Sequence, residues 1–248
     1  MDPLVATAAS GLRSRMEALD LLANNLANTA TAGFKADLES YNLYFSDSAW
    51  GGYNEGRPPT NEMPVVEQNW TDFSQGALLD TANPLDFALN APGFFVVNTP
   101  SGPLYTRNGH FRLSKTGRLE TQEGYPVQGG DGQEIVLDAS QGVSVSKSGQ
   151  IAQQGNMVAQ LEVMSVDQVN KLTKRGSTYF QLNSDAKPAA VAEPDVAQGR
   201  IESSNVPAAQ AAVKLVSILR QFEMLQKAVN LAGQMNQRVF DEVAKVSP

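Results

Sequence analysis

The chain has 248 residues, 26 acidic against 19 basic, one histidine and no cysteine, for a formal net charge of -7. That balance excludes a surface built to hold nucleic acid or an anionic membrane, since such a surface would repel phosphate. The missing cysteines exclude disulfides, thiolate metal sites and a cysteine nucleophile, and the length allows one compact domain plus an added stalk.

The first residues, MDPLVATAASGLRSR, place an acid at position 2 and contain no continuous apolar run. Neither a cleavable signal peptide nor a membrane span is expected from them. From Val5 the apolar residues recur in alternating steps of four and three, through Val5, Ala9, Leu12, Met16, Leu19, Ala23 and Leu26. This is the spacing of a coiled-coil seam. Asp2 and Pro3 suit a helix start and Asn28 to Gly33 supplies a stop, so a helix is predicted over about 3–28.

Residues 46–72 are rich in Gly, Pro and Asn with weak periodicity and read as an extended connector. The chemistry then changes to strand-like runs between turns. Phe94-Phe95-Val96-Val97, PLYTR, HFRLS and RLET are separated by TPSG, Asn108-Gly109 and Lys115-Thr116-Gly117, and the spacing predicts a β-meander. Further strands are expected at Glu134 to Leu137, Val143 to Val145, Met157 to Val166 and Tyr179 to Leu182. Gly129 to Gly132 and Ser148-Gly149-Gln150 read as turns. The segment from about 73 to 185 is expected to be antiparallel β, and 185–198 a second connector.

The closing stretch repeats the seam through Ala211, Leu215, Ile218, Phe222, Leu225, Val229, Ala232, Asn236, Val239, Val243 and Val246, with Pro207 in its first turn. A single such stripe makes no independent core, so each terminal helix needs a partner, and the other terminal helix is the nearest one. The expected fold class is α+β: N- and C-terminal helices pairing as a coiled-coil stalk with an inserted antiparallel β-rich head. The organisation is 1–45 as first helix and following segment, 46–72 connector, 73–185 head, 186–204 connector and 205–248 closing helix. Val5, Leu12, Met16, Leu19, Leu26, Leu215, Ile218, Phe222, Leu225, Val229, Asn236 and Val239 are the candidate assembly seam.

Chemistry is harder to place. His110 follows the Asn108-Gly109 turn signal and reads as a surface hairpin residue. A serine triad would require it to be oriented by a carboxylate beside an exposed nucleophile, yet no G-x-S-x-G elbow occurs. HExxH, a P-loop and a Rossmann glycine fingerprint are likewise missing. Asp72, Asp80, Asp86, Glu120 and Glu123 could pair as glycosidase carboxylates, but acids on a solvated β face explain them more simply. Gly129-Gly130-Asp131-Gly132 lacks the alternating oxygens and closing glutamate of a calcium loop. No catalytic residue, cofactor or metal is expected.

Four stretches carry a resemblance: LLANNLANTATAGFKAD (Leu21 to Asp37), FSQGALLDTANPLDFALNAPGFFVV (Phe73 to Val97), LYTRNGHFRLSKTGRLETQEGYPVQG (Leu104 to Gly129) and QGRIESSNVPAAQAAVKLVSILRQFEMLQKAVN (Gln198 to Asn230). In this order they resemble the bacterial flagellar rod and hook family of axial proteins. The resemblance implies a structural subunit of the flagellar basal-body rod, exported by the flagellum's own type III apparatus without a cleaved signal. Its implied partners are other rod proteins and copies of itself, with no nucleic acid and no membrane span, and its implied place is the periplasmic rod. The short 46–72 connector and the Ala91-Pro92 departure from a usual glycine favour the proximal-rod, F-type branch over the distal rod. The alternative from another class is a β-rich adhesin, with Trp50, Tyr53 and Trp70 as glycan-stacking candidates.

Overall fold

The seam periodicity at both ends becomes helix. A computed structural model describes residues 3–45, 62–166, 168–183 and 188–246. Helix α1 (Pro3–Ala27) and helix α2 (Ala208–Val246) are 25 and 39 residues long. α1 stops where Thr31 folds back on Asn28, its amide donating to the Asn28 carbonyl at 3.1 Å and its hydroxyl to the Asn28 side-chain oxygen at 3.2 Å. α2 opens on Pro207, whose carbonyl accepts the Ala211 amide at 2.9 Å. Between the helices lie seventeen strands among the described residues, so the fold is α+β.

Two compact units emerge, one drawn from within residues 1–27, 37–70 and 207–248, the other from 28–36 and 71–206. In the first, α1 and α2 pack against each other and strands β1 (Asp37–Phe45) and β2 (Glu62–Thr71) pair as a two-stranded sheet. Residues 62–71, read from the sequence as the end of a connector, are therefore strand. The rest of that connector, with Trp50 and Tyr53, lies outside the described residues.

The second unit is built on a six-stranded sheet. Its order is β13 (Leu172–Arg175), β14 (Tyr179–Leu182), β6 (Gly102–Thr106), β5 (Phe94–Thr99), β12 (Val163–Ser165) and β15 (Ala189–Ala190), every neighbour antiparallel. Beside it lie a three-stranded sheet of β9 (Val143–Val145), β10 (Gln150–Gln153) and β11 (Asn156–Gln160), and three pairs. The pairs are β3 (Leu78–Asp80) with β17 (Arg200–Glu202), β4 (Phe87–Leu89) with β16 (Val196–Gln198), and β7 (Arg112–Leu113) with β8 (Leu119–Glu120). β15, β16 and β17 fall in the stretch that reads as a connector from its Ala, Pro and Gly content.

β5 explains the core. Successive side chains of a strand face opposite sides, and both sides here are covered, so Phe94-Phe95-Val96-Val97 is an unbroken apolar run. Phe95 and Val97 join Phe87, Phe111, Leu119, Ile151 and others in one core. Phe94 and Val96 join Tyr105, Leu172 and Phe180 in a second, where the rings of Phe94, Phe180 and Phe73 meet edge to face at 5.0 to 5.8 Å.

The expected meander survives as two hairpins, β5–β6 and β7–β8, without the pairing of β6 to β7 that would join them. β6 gives its other side to β14, with Tyr179 opposite Thr106, and β7 pairs with β8 in a separate hairpin. The chain leaves the sheet because the Thr106 hydroxyl donates to the Thr178 carbonyl at 2.8 Å while accepting the Asn108 amide at 3.0 Å, which turns Arg107 inward. Glu134 to Leu137 is also no strand: it meets its neighbours only through single bridges, although Ile135 and Leu137 point into the core as alternation requires.

Buried Tyr179 donates a short hydrogen bond to Glu123, and burial, reinforced by that carboxylate, raises the phenol pKa above its ordinary value. The unfolded chain releases this proton first. Tyr179 therefore stabilises the fold fully below about pH 10 and loses that contribution as pH rises toward the raised folded value. Tyr179→Phe is expected to make the fall of thermal midpoint above about pH 10 shallower than in the parent chain, as followed by circular dichroism.

Candidate functional site

Three charged side chains that sequence reasoning leaves aside meet inside the β-rich unit. Glu202, wholly buried at the end of β17, receives the Lys35 ammonium at 2.5 Å on one oxygen and the Arg107 guanidinium at 3.2 Å on the other. The first oxygen also accepts the Gly76 amide at 2.9 Å. Lys35 donates a second bond to the Ser74 carbonyl at 2.6 Å, and Arg107 one to the Ala91 carbonyl at 3.0 Å while lying 5.5 Å from the Phe94 ring centre. Burial pushes both cations' pKa values down from their ordinary range, and the Glu202 carboxylate opposes this. A buried ion cluster of this kind adds little net stability over an apolar core, but removing one member strands the others. Its effect is to dictate which segments meet.

Those segments are the four that carry the family resemblance. Gly33 sits at a φ of 68°, and a Cβ there would fall 2.3 Å from the Asn108 amide nitrogen. At Gly76 a Cβ would fall 2.0 Å from the Ser203 carbonyl oxygen. Backbone thus meets backbone, and only glycine fits. The Gly33 amide donates to the Glu202 carbonyl at 2.7 Å, and Asn205 accepts the Ala36 amide at 2.8 Å and donates to the Asp72 carbonyl at 2.8 Å. Residues 33–36 and 202–205, from which the chain continues to β1 and α2, run side by side. Lys174 reaches the Lys35 carbonyl at 2.7 Å, with its ammonium 3.9 Å from the Phe34 ring centre.

In the helical unit, Asn25 is buried and treats Asp37 as a strand would, donating to its carbonyl at 2.7 Å and accepting its amide at 2.9 Å. Lys214 of α2 pairs with Glu39 of β1 at 3.4 Å.

The two seams fare differently. On α2, Ala211, Ile218 and Ala232 are buried and Leu215, Phe222, Leu225 and Val229 half-buried, along the predicted stripe. On α1 the buried residues are Ser14, Ala18, Leu22 and Asn25, a stripe about a third of a turn from the predicted one. Leu12, Leu19 and Leu26 are half-buried at its margin, and Met16 is 55 % exposed. Leu22, off the predicted stripe, is covered. Gly11 lies on the same stripe, where a Cβ would meet the Leu225 side chain at an ordinary contact distance of 3.6 Å. The side chains of Val5, Asn236 and Val239 lie outside those described.

His110 does find a carboxylate, its Nδ1 lying 2.6 Å from buried Asp86, which also accepts from Asn83 at 3.0 Å. No hydroxyl bonds to its ring among the described residues. Among them, too, no three His, Asp or Glu side chains gather as metal ligands do, and no helix is long and apolar enough to cross a membrane.

Residues 88–153 match the family model for the flagellar hook protein FlgE/F/G D1 domain, and 197–241 that for the flagellar basal body rod FlgEFG protein C-terminal region. The chain is 35 % identical over 214 residues to the flagellar basal-body rod protein FlgF of Rhizobium meliloti, covering 83 % of each. The chain belongs to the flagellar basal-body rod protein family. It is also 29 % identical over 232 residues to FlgF of Caulobacter vibrioides, covering 92 % of this chain and 93 % of that one. Against the rod protein FlgG of Buchnera aphidicola from Schizaphis graminum it is 29 % identical over 263 residues, 96 % of this chain and 99 % of that one. It is a structural subunit of the rod.

Arg107 falls within the first matched region and Glu202 within the second, so the ion cluster joins the two family segments. Sequence reasoning could not assemble it, because Lys35 and Glu202 stand 167 positions apart. The available signal was that each member sits inside a resembling stretch. Glu202→Gln leaves two buried cations facing a neutral amide, at a cost of about 3–5 kcal/mol. A thermal midpoint lower by on the order of 10 °C is expected in near-ultraviolet circular dichroism of the full chain.

Proposed function

We propose that this rod subunit belongs to the proximal rod and assembles helically, as part of the drive shaft that carries torque to the filament. The 35 % identity to FlgF of Rhizobium meliloti, against 29 % to FlgG of Buchnera aphidicola, supports the proximal position. The observation that carries assembly is that α2 has two apolar faces. One is the covered seam; on the other, Val213, Val216, Met224, Leu231 and Met235 are exposed, Val213 by 72 %. A long apolar stripe left in water marks a surface meant for protein.

α1 and α2 then act as a coiled-coil stalk within the subunit, Leu215, Ile218, Phe222, Leu225 and Val229 holding α2 to α1. Val5, Leu12, Met16, Leu19 and Leu26 face the next subunit's helices, with Asn236 and Val239 extending the α2 seam. The partners are copies of this chain and other rod proteins in contacts that do not close. The protein works by assembly and without catalysis.

Full-length matching to FlgG supports the distal rod as a second reading. Cryo-electron microscopy of basal bodies separates the two: density between the basal ring and the distal rod is expected, and density only further out moves the subunit to the distal rod. Leu231→Asp, on the exposed face, is expected to abolish incorporation into basal bodies while the thermal transition of the β-rich unit stays within a degree or so, because a charge there is harmless in water and costly in a helical contact. Export follows the flagellar type III route with no cleaved signal. Mass spectrometry of the rod-incorporated chain should then find an N-terminus at Met1 or Asp2.

A further inference from the structure

The six-stranded sheet ends in two edges of different character. At one end, β15 and the edge strand β11 border an open groove of about 480 Å³. Its lining includes Asp131, Met157, Val158, Glu162 and Ala190. Met157 and Val158 are exposed, as hydrophobics on an unpaired edge rarely are without a partner. One Glu162 carboxylate oxygen is buried with no hydrogen-bond partner. Burial and the nearby Asp131 charge raise the Glu162 pKa, as befits a groove short of a cation.

At the other end stands β13, preceded by the turn at Val169–Lys171. Val169 is exposed, and the cations here are Lys171, Arg175 and Lys174, the last of which reaches the Lys35 carbonyl. β13 pairs with β14 on one side and with no strand on the other among the described residues. One edge is apolar and acidic, the opposite edge apolar and basic.

We propose that the β-rich units of successive copies join edge to edge, β13 of one copy lying in the β11–β15 groove of the next. Main-chain bonding supplies the attraction, as when an extended segment adds to a sheet edge. Charge fixes the direction: like edges repel, so two β13 edges or two grooves do not pair. Because the β13 edge and the groove are different surfaces, the contact is heterologous, and with a rotation that does not close it propagates as an open array. It rests on the rod-subunit reading and adds a second contact, separate from the helices.

The native chain has no cysteine, so engineered pairs report cleanly. Val158→Cys and Thr173→Cys are placed together in the full chain, expressed as the only copy in flagellated cells, and oxidised. A ladder of disulfide-linked dimers, trimers and higher species is expected, with neither single variant giving dimers. Asp131→Lys should lower ladder yield by up to about fivefold, the scale of an exposed ion pair, and Arg175→Asp in the same chain should restore it. No ladder, or dimers from a single variant showing two-fold pairing, overturns the proposal. The chain's presence in purified basal bodies is scored in the same cells. Its absence there would instead count against the rod reading, and an unchanged thermal transition excludes misfolding of the variants.

Discussion

Glu202 is the residue on which the β-rich unit turns. A carboxylate taken out of water must be met by cations and amides, and here it is met by Lys35, Arg107 and the Gly76 amide from three other parts of the chain. Each is unable to leave without exposing a charge to an apolar interior. The cluster consequently fixes which backbones touch, and the glycines at 33 and 76 record how closely. Stability of that unit comes from the two aromatic cores on either side of β5; the ion cluster supplies the registration those cores cannot, since apolar contacts tolerate sliding and directional charge-assisted hydrogen bonds do not.

This registration has a consequence for the helices. Residues 33–36 and 202–205 are held side by side by the Gly33 to Glu202 bond and the Asn205 amide. The chain continues from them into β1 and into α2, and Asn25 joins the end of α1 to the beginning of β1. Side-chain amides paired with main chain hold these junctions without a hydrophobic core of their own.

The helical unit divides its apolar surface unequally. α1 covers Ser14, Ala18, Leu22 and Asn25, keeps Leu12 and Leu19 at the margin and leaves Met16 exposed, while α2 covers one stripe and leaves another exposed. An isolated pair built this way leaves an apolar stripe in water, which the proposed assembly would cover.

How much of this the sequence contained depends on the range of the interaction. Periods of 3.5 and 2, helix stops and glycine turns are local, and from them the two helices, the β5–β6 hairpin and strands β9 and β14 could be read directly. The four resembling stretches gave the family as well. Tertiary structure decided what was not local. It took β6 away from the expected meander, because Thr106 found Thr178. It turned the covered face of α1 onto Ser14, Ala18, Leu22 and Asn25, a stripe half polar that a hydrophobic pattern does not mark. And it brought Lys35, Arg107 and Glu202 together, since no sequence period connects charges from three distant segments and only the folded interior makes them need one another.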